Sequence, residues 1–336
     1  MRTHANSALL TLALAGLASV VAALVIGSVH VPPREFLAVL AGGGDASLDA
    51  IVLDLRLPRA LSAFATGALL ALSGAILQAL LRNPLADPYV LGVSGGAAVA
   101  ALVALAFGAG ALGMQVASIG GAIATMTALF VFARRALFAR STSAVALSDD
   151  GTTHVLLTGV MIASFCAAAL SLLLSLAPDG RLRTMVFWLL GDLGGATSLR
   201  AACAALVVLV VGVAVAVRLA PPLNLLLRGD VQAFTQGVDV ERTRRALVAV
   251  AAVATGAAVT LAGAIGFVGF IAPHLVRRVI GNDQRVLLPA AALAGGVLVV
   301  LADTVARSIV APLQIPVGVL TAMIGVPLFL WLLRSR

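Results

Sequence analysis

The stretch Asn-Pro-Leu-Ala-Asp-Pro-Tyr-Val-Leu-Gly-Val-Ser-Gly-Gly-Ala-Ala, residues 83–98, lies between two apolar runs of membrane length. Its two prolines remove backbone hydrogen-bond donors, and its glycines allow another backbone to approach closely. Irregular backbone is stable inside a bilayer only where protein or water satisfies its polar groups. We therefore expect residues 83–98 to form part of a pathway through a membrane protein.

The composition around this stretch is that of an integral membrane protein. Of the 336 residues, 61% are hydrophobic and only 11% are charged, whereas a soluble domain carries about 25% charged residues. Only 4% of the residues are aromatic, and 33 are glycine. Small residues allow transmembrane helices to pack closely, so the composition favours a large polytopic all-α bundle.

The charge distribution indicates topology rather than nucleic-acid binding. The net charge is +8, but every basic residue is an arginine and the arginines lie in short loops between apolar runs. With the N-terminus inside, 15 of the 22 arginines fall on the inner side. Cytoplasmic loops are enriched in basic residues, so we expect both termini in the cytoplasm and no nucleic-acid partner.

The apolar runs predict about ten membrane-spanning helices, since a helix needs about 20 apolar residues to cross the hydrocarbon core. The first run is longer than the ~7–15-residue core of a signal peptide, so we expect it to be retained. We expect one transmembrane domain over residues 1–336. The runs lie near 8–29, 60–81, 89–108, 111–133, 155–177, 201–219, 246–264, 266–280, 286–302 and 316–333.

The longest polar segment, residues 220–245, mixes apolar and polar residues at helical spacing. Gly229 and Gly237 are expected to divide it into two short helices. Short amphipathic helices of this kind either dock on a partner protein or lie on the lipid headgroups. Both readings are open from the residues alone.

Motifs for catalysis, cofactors and metals are absent from the sequence. It contains no Gly-x-x-x-x-Gly-Lys phosphate loop, no nucleophile elbow and no cluster of histidines, so we expect no enzyme activity, cofactor or metal site. No carboxylate lies in the middle of an expected span, which weakens an ion-coupled transporter reading. Asp303 comes closest, and Arg307, four residues later, is expected to pair with it.

Several long motifs in order resemble the FecCD-type permease family of ATP-binding-cassette importers for vitamin B12, haem and ferric siderophores. One is the stretch 83–98 already quoted. The others are Arg56-Leu-Pro-Arg59, Gly-Ala-Leu-Leu-Ala-Leu-Ser-Gly-Ala-Ile-Leu-Gln at 67–78, Ala-Gly-Ala-Ile-Gly-Phe-Val-Gly-Phe-Ile-Ala-Pro-His-Leu-Val-Arg at 262–277, Leu-Ala-Asp-Thr-Val-Ala-Arg at 301–307 and the closing segment 315–330.

This resemblance implies an assembly and a mechanism. Two copies of the chain would pair as a homodimer in the bacterial inner membrane, in contact with lipid. Separate ATPase subunits would bind below, and a periplasmic binding protein would dock above. The chain would then move a metal chelate into the cytoplasm by alternating access, and which chelate (ferric siderophore, cobalamin or haem) is left open.

The resemblance also assigns docking residues at the outer side. Arg56, Arg59 and Arg307 would receive acidic residues of the binding protein, because guanidinium groups hold carboxylates through paired hydrogen bonds. The alternative is that these arginines reach toward the lipid headgroups from helix ends.

A cytoplasmic gate is implied at Asn83 and Leu85, at the entry to the third helix, and at Thr152 and Thr153, just before the fifth. Small polar and apolar side chains suit a constriction that closes without binding cargo. For the threonines, an ordinary helix N-cap is a second reading compatible with the first.

ATPase coupling is implied for the segment 223–240. The family pattern differs here at Asp230, where a glutamate is expected, and at Gln236, where an apolar residue is expected, and a solvated loop face is the other reading for both. The residues assigned to coupling are Leu223, Asn224, Gly229, Asp230, Ala233, Gly237 and Asp239.

Two functions of other classes compete with an importer permease. An ion-coupled secondary transporter acting without an ATPase would need an embedded carboxylate and a cation gradient. An exporter-like or purely structural membrane subunit would have no use for outward-facing arginines. The importer permease therefore stands as the expectation from the sequence.

Overall fold

The computed structural model describes residues 2–27, 29, 31–43, 45–89, 91–132, 149–310 and 313–334, and helices are the only regular elements among them. The expected all-α polytopic fold is therefore confirmed. A π-helical segment, Ala50–Arg56, joins α3 to α4. The α-helices are α1 (Arg2–Val25), α2 (Pro33–Leu40), α3 (Ala46–Asp49), α4 (Leu57–Leu80), α5 (Val93–Ala106), α6 (Ala111–Phe132), α7 (Asp149–Ser175), α8 (Asp179–Leu189), α9 (Leu199–Arg218), α10 (Ala220–Leu226), α11 (Asp230–Thr235), α12 (Val240–Ala262), α13 (Val268–Ile280), α14 (Gln284–Ala306) and α15 (Val317–Arg334).

Within the described residues, seven helical stretches are long and apolar enough to cross a membrane. They belong to α1, to α3 continued through α4, and to α6, α7, α9, α12 and α14. Helices α5 and α15 contain shorter apolar stretches, and α13 has 13 residues. Ten crossings thus stay a prediction, because three of the expected spans are shorter than a bilayer requires.

Helix α4 lies at the centre of the bundle. It packs against α14, α12, α9 and α13, and every residue from Ala65 to Leu80 is buried. The side chains of Leu69, Leu72 and Ile76 are fully buried. The apolar windows of α1, α6, α7 and α9 are mostly exposed, as expected for helices that face lipid or another subunit.

Two glycines of α4 allow the central helices to approach closely. A Cβ atom at Gly74 would lie 2.6 Å from the Cα of Gly269, on α13. A Cβ atom at Gly67 would lie 2.8 Å from the carbonyl carbon of Gly295, on α14. Small residues allow such backbone approach in membrane bundles, so these glycines set the spacing of α13 and α14 around α4.

The glycine-rich turn before α13 interrupts the bundle at a defined point. Gly263 has φ +64° and Phe267 has φ +68°; the second is unusual for a bulky residue. A Cβ atom at Gly263 would lie 2.9 Å from the carbonyl carbon of Trp188. The segment is therefore both a helix break and a tight contact, as its glycine content predicts.

The polar stretch 83–98 does not span the membrane as one helix. The described residues among 81–92 form turns and irregular backbone, and α5 begins only at Val93 after Gly92 with φ +77°. The predicted span 89–108 therefore begins before the helix does. Proline restricts the preceding residue and removes a donor, which explains why the helix starts after Pro88 and not before it.

Candidate functional site

Arg82 connects the end of the central helix to the two short helices. It follows α4 with φ +48°, a left-handed conformation that few side-chain-bearing residues adopt. Its Nε donates to the carbonyl oxygen of Leu226 at 3.0 Å, and its Nη2 pairs with Asp230. One side chain therefore contacts both α10 and α11.

Asp230 lies between two arginines. Besides Arg82, it binds Arg244 of α12, whose Nη2 lies 2.9 Å from both carboxylate oxygens. Arg244 is buried, and the Asp230 side chain is only 14% exposed. The solvated-loop reading of Asp230 is therefore wrong, because a buried guanidinium requires a charged partner.

Other residues of the segment 223–240 attach it to the bundle. Leu223 and Ala233 are fully buried. The Nδ2 of Asn224 donates to Asp283 Oδ1 at 2.7 Å, and its Oδ1 accepts from the backbone N–H of Gln284 at 3.0 Å. These contacts fix α10 to the start of α14.

The ends of α11 are set by glycine and by a helix cap. Gly229, with φ +129°, precedes it, and Gly237, with φ +81°, follows it. The side chain of Asp239 accepts from the N–H of Arg242 at 2.9 Å and caps α12. The expected pair of short helices is thus present as α10 and α11.

The outer face of α11 is exposed and carries apolar side chains beside the polar Gln232 and Thr235. Val231 is 47% exposed and Phe234 is 65% exposed, and Gln236 just after them is also exposed. A rigidly held six-residue helix that presents a phenylalanine in this way is suited to contact with a partner.

Asn83 and Leu85, the residues predicted to form a gate, lie in a tight turn directly after Arg82. The Oδ1 of Asn83 accepts from the backbone N–H of Leu85 at 2.8 Å, an Asx turn. The side chain of Leu85 is half exposed. The hydrogen-bonded turn therefore holds the apolar side chain of Leu85 in a partly exposed position.

A cavity of about 460 Å³ lies beside Leu85 and is also lined by Asp87 and Tyr89. Asp87 Oδ1 accepts from the N–H of Tyr89 at 2.8 Å. Burial raises the pKa of the Asp87 carboxyl to about 6, and burial with the nearby Asp87 charge raises the pKa of Tyr89. The wall is otherwise apolar, formed by Leu156, Val160, Gly266, Phe267 and Phe270.

Thr152 and Thr153 lie within the first turns of α7, which includes Asp149–Ser175, so they are not its N-cap and do not precede it. Their side chains lie outside the described part of the chain. The gate role of this pair stays a prediction.

At the opposite end of the bundle, Arg56 binds the last turn of α1. Its Nη1 donates to the carbonyl oxygens of Leu24 at 2.7 Å and Val25 at 2.9 Å, and its Nη2 donates to that of Val29. Cations near a helix C-terminus offset its macrodipole and satisfy its open carbonyls. Arg56 thus stabilises the end of the first helix.

The other two docking candidates are also buried and internally bonded. Arg59 Nη2 lies 2.8 Å from Asp303 Oδ1, and its Nη1 donates to Gln314 Oε1 at 2.7 Å. Arg307 Nη2 donates to the carbonyl oxygen of Ala23. The three arginines are 5%, 8% and 6% exposed. Their docking role stays a prediction, and the snorkelling alternative does not describe their present contacts.

Sequence reasoning missed the joint made by Arg82 with Asp230 and Arg244, and the pair of Asp87 with Tyr89. One signal was available for the first: an arginine directly after a long apolar helix, and an aspartate in the longest polar segment, are candidates for pairing. No group of three or more His, Cys, Asp and Glu side chains in the described ranges could hold a metal ion.

A family model for the FecCD transport family matches residues 13–335. The cobalamin import system permease protein BtuC of Halobacterium salinarum is 44% identical over 303 residues, covering 90% of this chain and 78% of that protein. The hemin transport system permease protein HmuU of Yersinia pestis is 40% identical over 296 residues, covering 85% and 84%. The vitamin B12 import system permease protein BtuC of Salmonella typhi is 36% identical over 329 residues, covering 97% and 94%.

A solved structure described as an inward-facing conformation of a metal-chelate type ABC transporter is also similar. It superposes with a TM-score of 0.82 at 29% identity and covers 99% of this chain and 100% of that one. The similarity therefore extends over the whole helix bundle, including the segments that carry the candidate sites.

Proposed function

Because this chain belongs to the FecCD transport family, we propose that it acts as the transmembrane permease subunit of an ATP-binding-cassette importer. It forms no bond in its cargo and hydrolyses no ATP. Separate ATPase subunits supply the energy, and the pathway opens alternately to each side of the bacterial inner membrane. The termini face the cytoplasm.

The observation that carries this proposal is the position of Arg82. Its guanidinium binds α10 and α11 on one side, and its backbone leads directly into the turn at Asn83 and Leu85 on the other. Movement of α10 and α11 would therefore reach the turn at Asn83 and Leu85 through the contacts of Arg82. ATPase closure would move α11 and shift Leu85 out of the pathway.

The face of α11 around Phe234 is the proposed ATPase contact. Phe234→Ala should weaken ATPase binding and leave the bundle unchanged, because the ring is mostly exposed. Val211→Ala, at an exposed position of α9, is a matched control. Unchanged ATPase binding by the first variant would remove this face from the proposal.

The proposed cargo is a metal chelate: a ferric siderophore, cobalamin or haem. Two relatives are named for cobalamin and hemin import, and the wall of the cavity beside Leu85 is mainly apolar. Such a wall accepts a bulky cargo without binding it tightly, which transport requires.

The proposed assembly pairs two copies of the chain, with a binding protein on the side of Arg56 and Arg307. A partner carboxylate there would have to replace the carbonyl oxygens of α1 as the ligand of these guanidinium groups. Arg56→Gln should weaken docking at low salt if this exchange occurs. A loss of thermal stability with unchanged docking would assign the arginine to helix capping alone.

The decisive experiment is uptake by proteoliposomes that contain the chain with its ATPase, with binding protein on the outside. The cargo panel is ferric siderophores, cobalamin and haem. ATP-dependent accumulation of one cargo supports the proposal and names the cargo. Accumulation driven by a cation gradient without ATPase would instead support the ion-coupled transporter.

A further inference from the structure

A long groove runs between α6 and α12 on the side of the bundle, away from the cavity beside Leu85. Its volume is about 730 Å³, within the range of sites that bind small molecules. From α6 it is lined by Ile123, Met126, Thr127, Phe130 and Val131, and from α12 by Glu241, Arg245, Val248, Ala249, Ala252 and Val253.

The lining residues form one continuous stripe on each helix, at spacings of three and four residues. On α12 the stripe runs from Glu241 to Val253, which is about 18 Å at 1.5 Å per residue. One leaflet of a bilayer core is about 15 Å thick. The groove therefore has the length of a lipid acyl chain within one leaflet.

The groove has an apolar floor and apolar rims. Met126, Val248 and Ala252 are buried beneath it, while Ile123 and Val131 are exposed along its edge. Its inner end is closed where Ser118 Oγ donates to the carbonyl oxygen of Gly256 at 3.2 Å. Both helices are long and apolar enough to cross a membrane, so the groove lies along the part of the bundle that is suited to the hydrocarbon core.

The other end of the groove carries one charge of each sign. Glu241 and Arg245 form an ion pair one helical turn apart, with side chains 55% and 71% exposed. The bond uses one carboxylate oxygen and one guanidinium nitrogen, and a guanidinium has five N–H donors. Donors thus remain on Arg245 for a phosphate.

We propose that this groove binds a phosphatidylethanolamine molecule, with its phosphate on Arg245, its ammonium on Glu241 and one acyl chain between α6 and α12. The two charged side chains that line the groove, Glu241 and Arg245, are one of each sign. This balance complements a zwitterionic headgroup better than an anionic one. A primary ammonium donates hydrogen bonds to the carboxylate, which a trimethylammonium group cannot.

Native mass spectrometry of the purified full chain, delipidated and then titrated with single phospholipids, tests the proposal. We expect one phosphatidylethanolamine to bind per chain, about tenfold more tightly than phosphatidylcholine or phosphatidylglycerol. Arg245→Gln and Glu241→Gln should each weaken binding by about the same factor. Arg242→Gln, an exposed arginine on the same helix outside the groove, should bind as the wild type does.

A second pair of variants tests the acyl-chain site. Ala249→Phe fills the groove from an exposed position and should abolish binding, whereas Val207→Phe on the exposed face of α9 should not. Equal binding of all three phospholipids, or equal loss in Arg242→Gln and Arg245→Gln, would overturn the headgroup assignment. No binding by the wild type would overturn the proposal.

Discussion

The guanidinium of Arg59 and the carboxylate of Asp303 form a paired hydrogen bond between α4 and α14, with Nη2 to Oδ1 at 2.8 Å and Nε to Oδ2 at 3.0 Å. Both side chains are buried. The pair expected from sequence, Asp303 with Arg307, is looser, at 3.9 Å. Asp303 therefore acts mainly as a link between two helices and only secondarily as a local ion pair.

Removing this carboxylate should destabilise the bundle strongly. Asp303→Ala leaves Arg59 buried without its charged partner, which costs about 3–5 kcal/mol of unfolding free energy. Thermal unfolding of the purified chain in detergent should show a clearly lower midpoint. Glu241→Ala, which breaks the exposed pair with Arg245, should change the free energy by less than about 1 kcal/mol.

A double variant tests whether stability depends on the pairing of Arg59 with Asp303 or only on the loss of one side chain. Arg59→Met with Asp303→Leu removes both charges, and such replacements in protein interiors are often neutral. We expect the double variant to be more stable than Asp303→Ala alone. If both variants unfold at the same temperature, the two residues are not coupled and the link is not what stabilises the ends of α4 and α14.

The close glycine contacts of α4 should also be sensitive to substitution. Gly74→Ala places a methyl group against the backbone of Gly269, so α13 must move away, at a cost of about 1–3 kcal/mol. Gly120→Ala, in the middle of α6 with open space around it, is the matched control and should be neutral or stabilising by up to about 1 kcal/mol. A neutral Gly74→Ala in the same unfolding assay would show that the helices are not in fixed contact.

The positions of many helices along the chain follow from the sequence, because the length of an apolar run and the glycines that end it are local properties. The run 201–219 predicts a span, and α9 occupies Leu199–Arg218. Gly229 predicts a break, and it separates α10 from α11. The break before α13 is likewise visible in its glycines. Each of these features depends on residues that are neighbours in the chain.

The charged joints could not be predicted in the same way. Arg59 and Asp303 are 244 positions apart, and Arg82 and Asp230 are 148 apart. Periodicity says which residues share a face of one helix, not which helices meet. The resemblance to importer permeases places Arg59 on an outer surface, whereas burial in this subunit gives it internal partners.

Asp87 should make stability depend on pH. Burial raises the pKa of its carboxyl from 3.8 to about 6, so the folded chain holds this proton more tightly than the unfolded chain does. The neutral Asp87 carboxyl therefore makes its full contribution to stability below pH ~4, and this contribution is lost as the pH rises through about 6. Asp87→Asn, which keeps the acceptor for Tyr89, should unfold at a higher temperature than the wild type at pH 8 and at nearly the same temperature at pH 4.

The exposed Asp179 provides the control for this titration. Asp179→Asn removes a carboxylate that does not line the cavity, so it should not reproduce the pH-dependent difference expected for Asp87→Asn. A difference between Asp87→Asn and the wild type that does not change with pH would show that the carboxyl group is charged, or neutral, throughout.

Arg82 should be required for coupling rather than for folding. Arg82→Gln removes its charged bond to Asp230, while Arg244 still neutralises that carboxylate. We therefore expect the ATPase to bind normally, its stimulation by loaded binding protein to fall about tenfold, and uptake to fall equally. Arg228→Gln, an exposed arginine between α10 and α11, is the matched control and should retain both. Normal stimulation with normal uptake in Arg82→Gln would show that motion reaches the turn at Leu85 by another route, such as the contact of Asn224 with the start of α14.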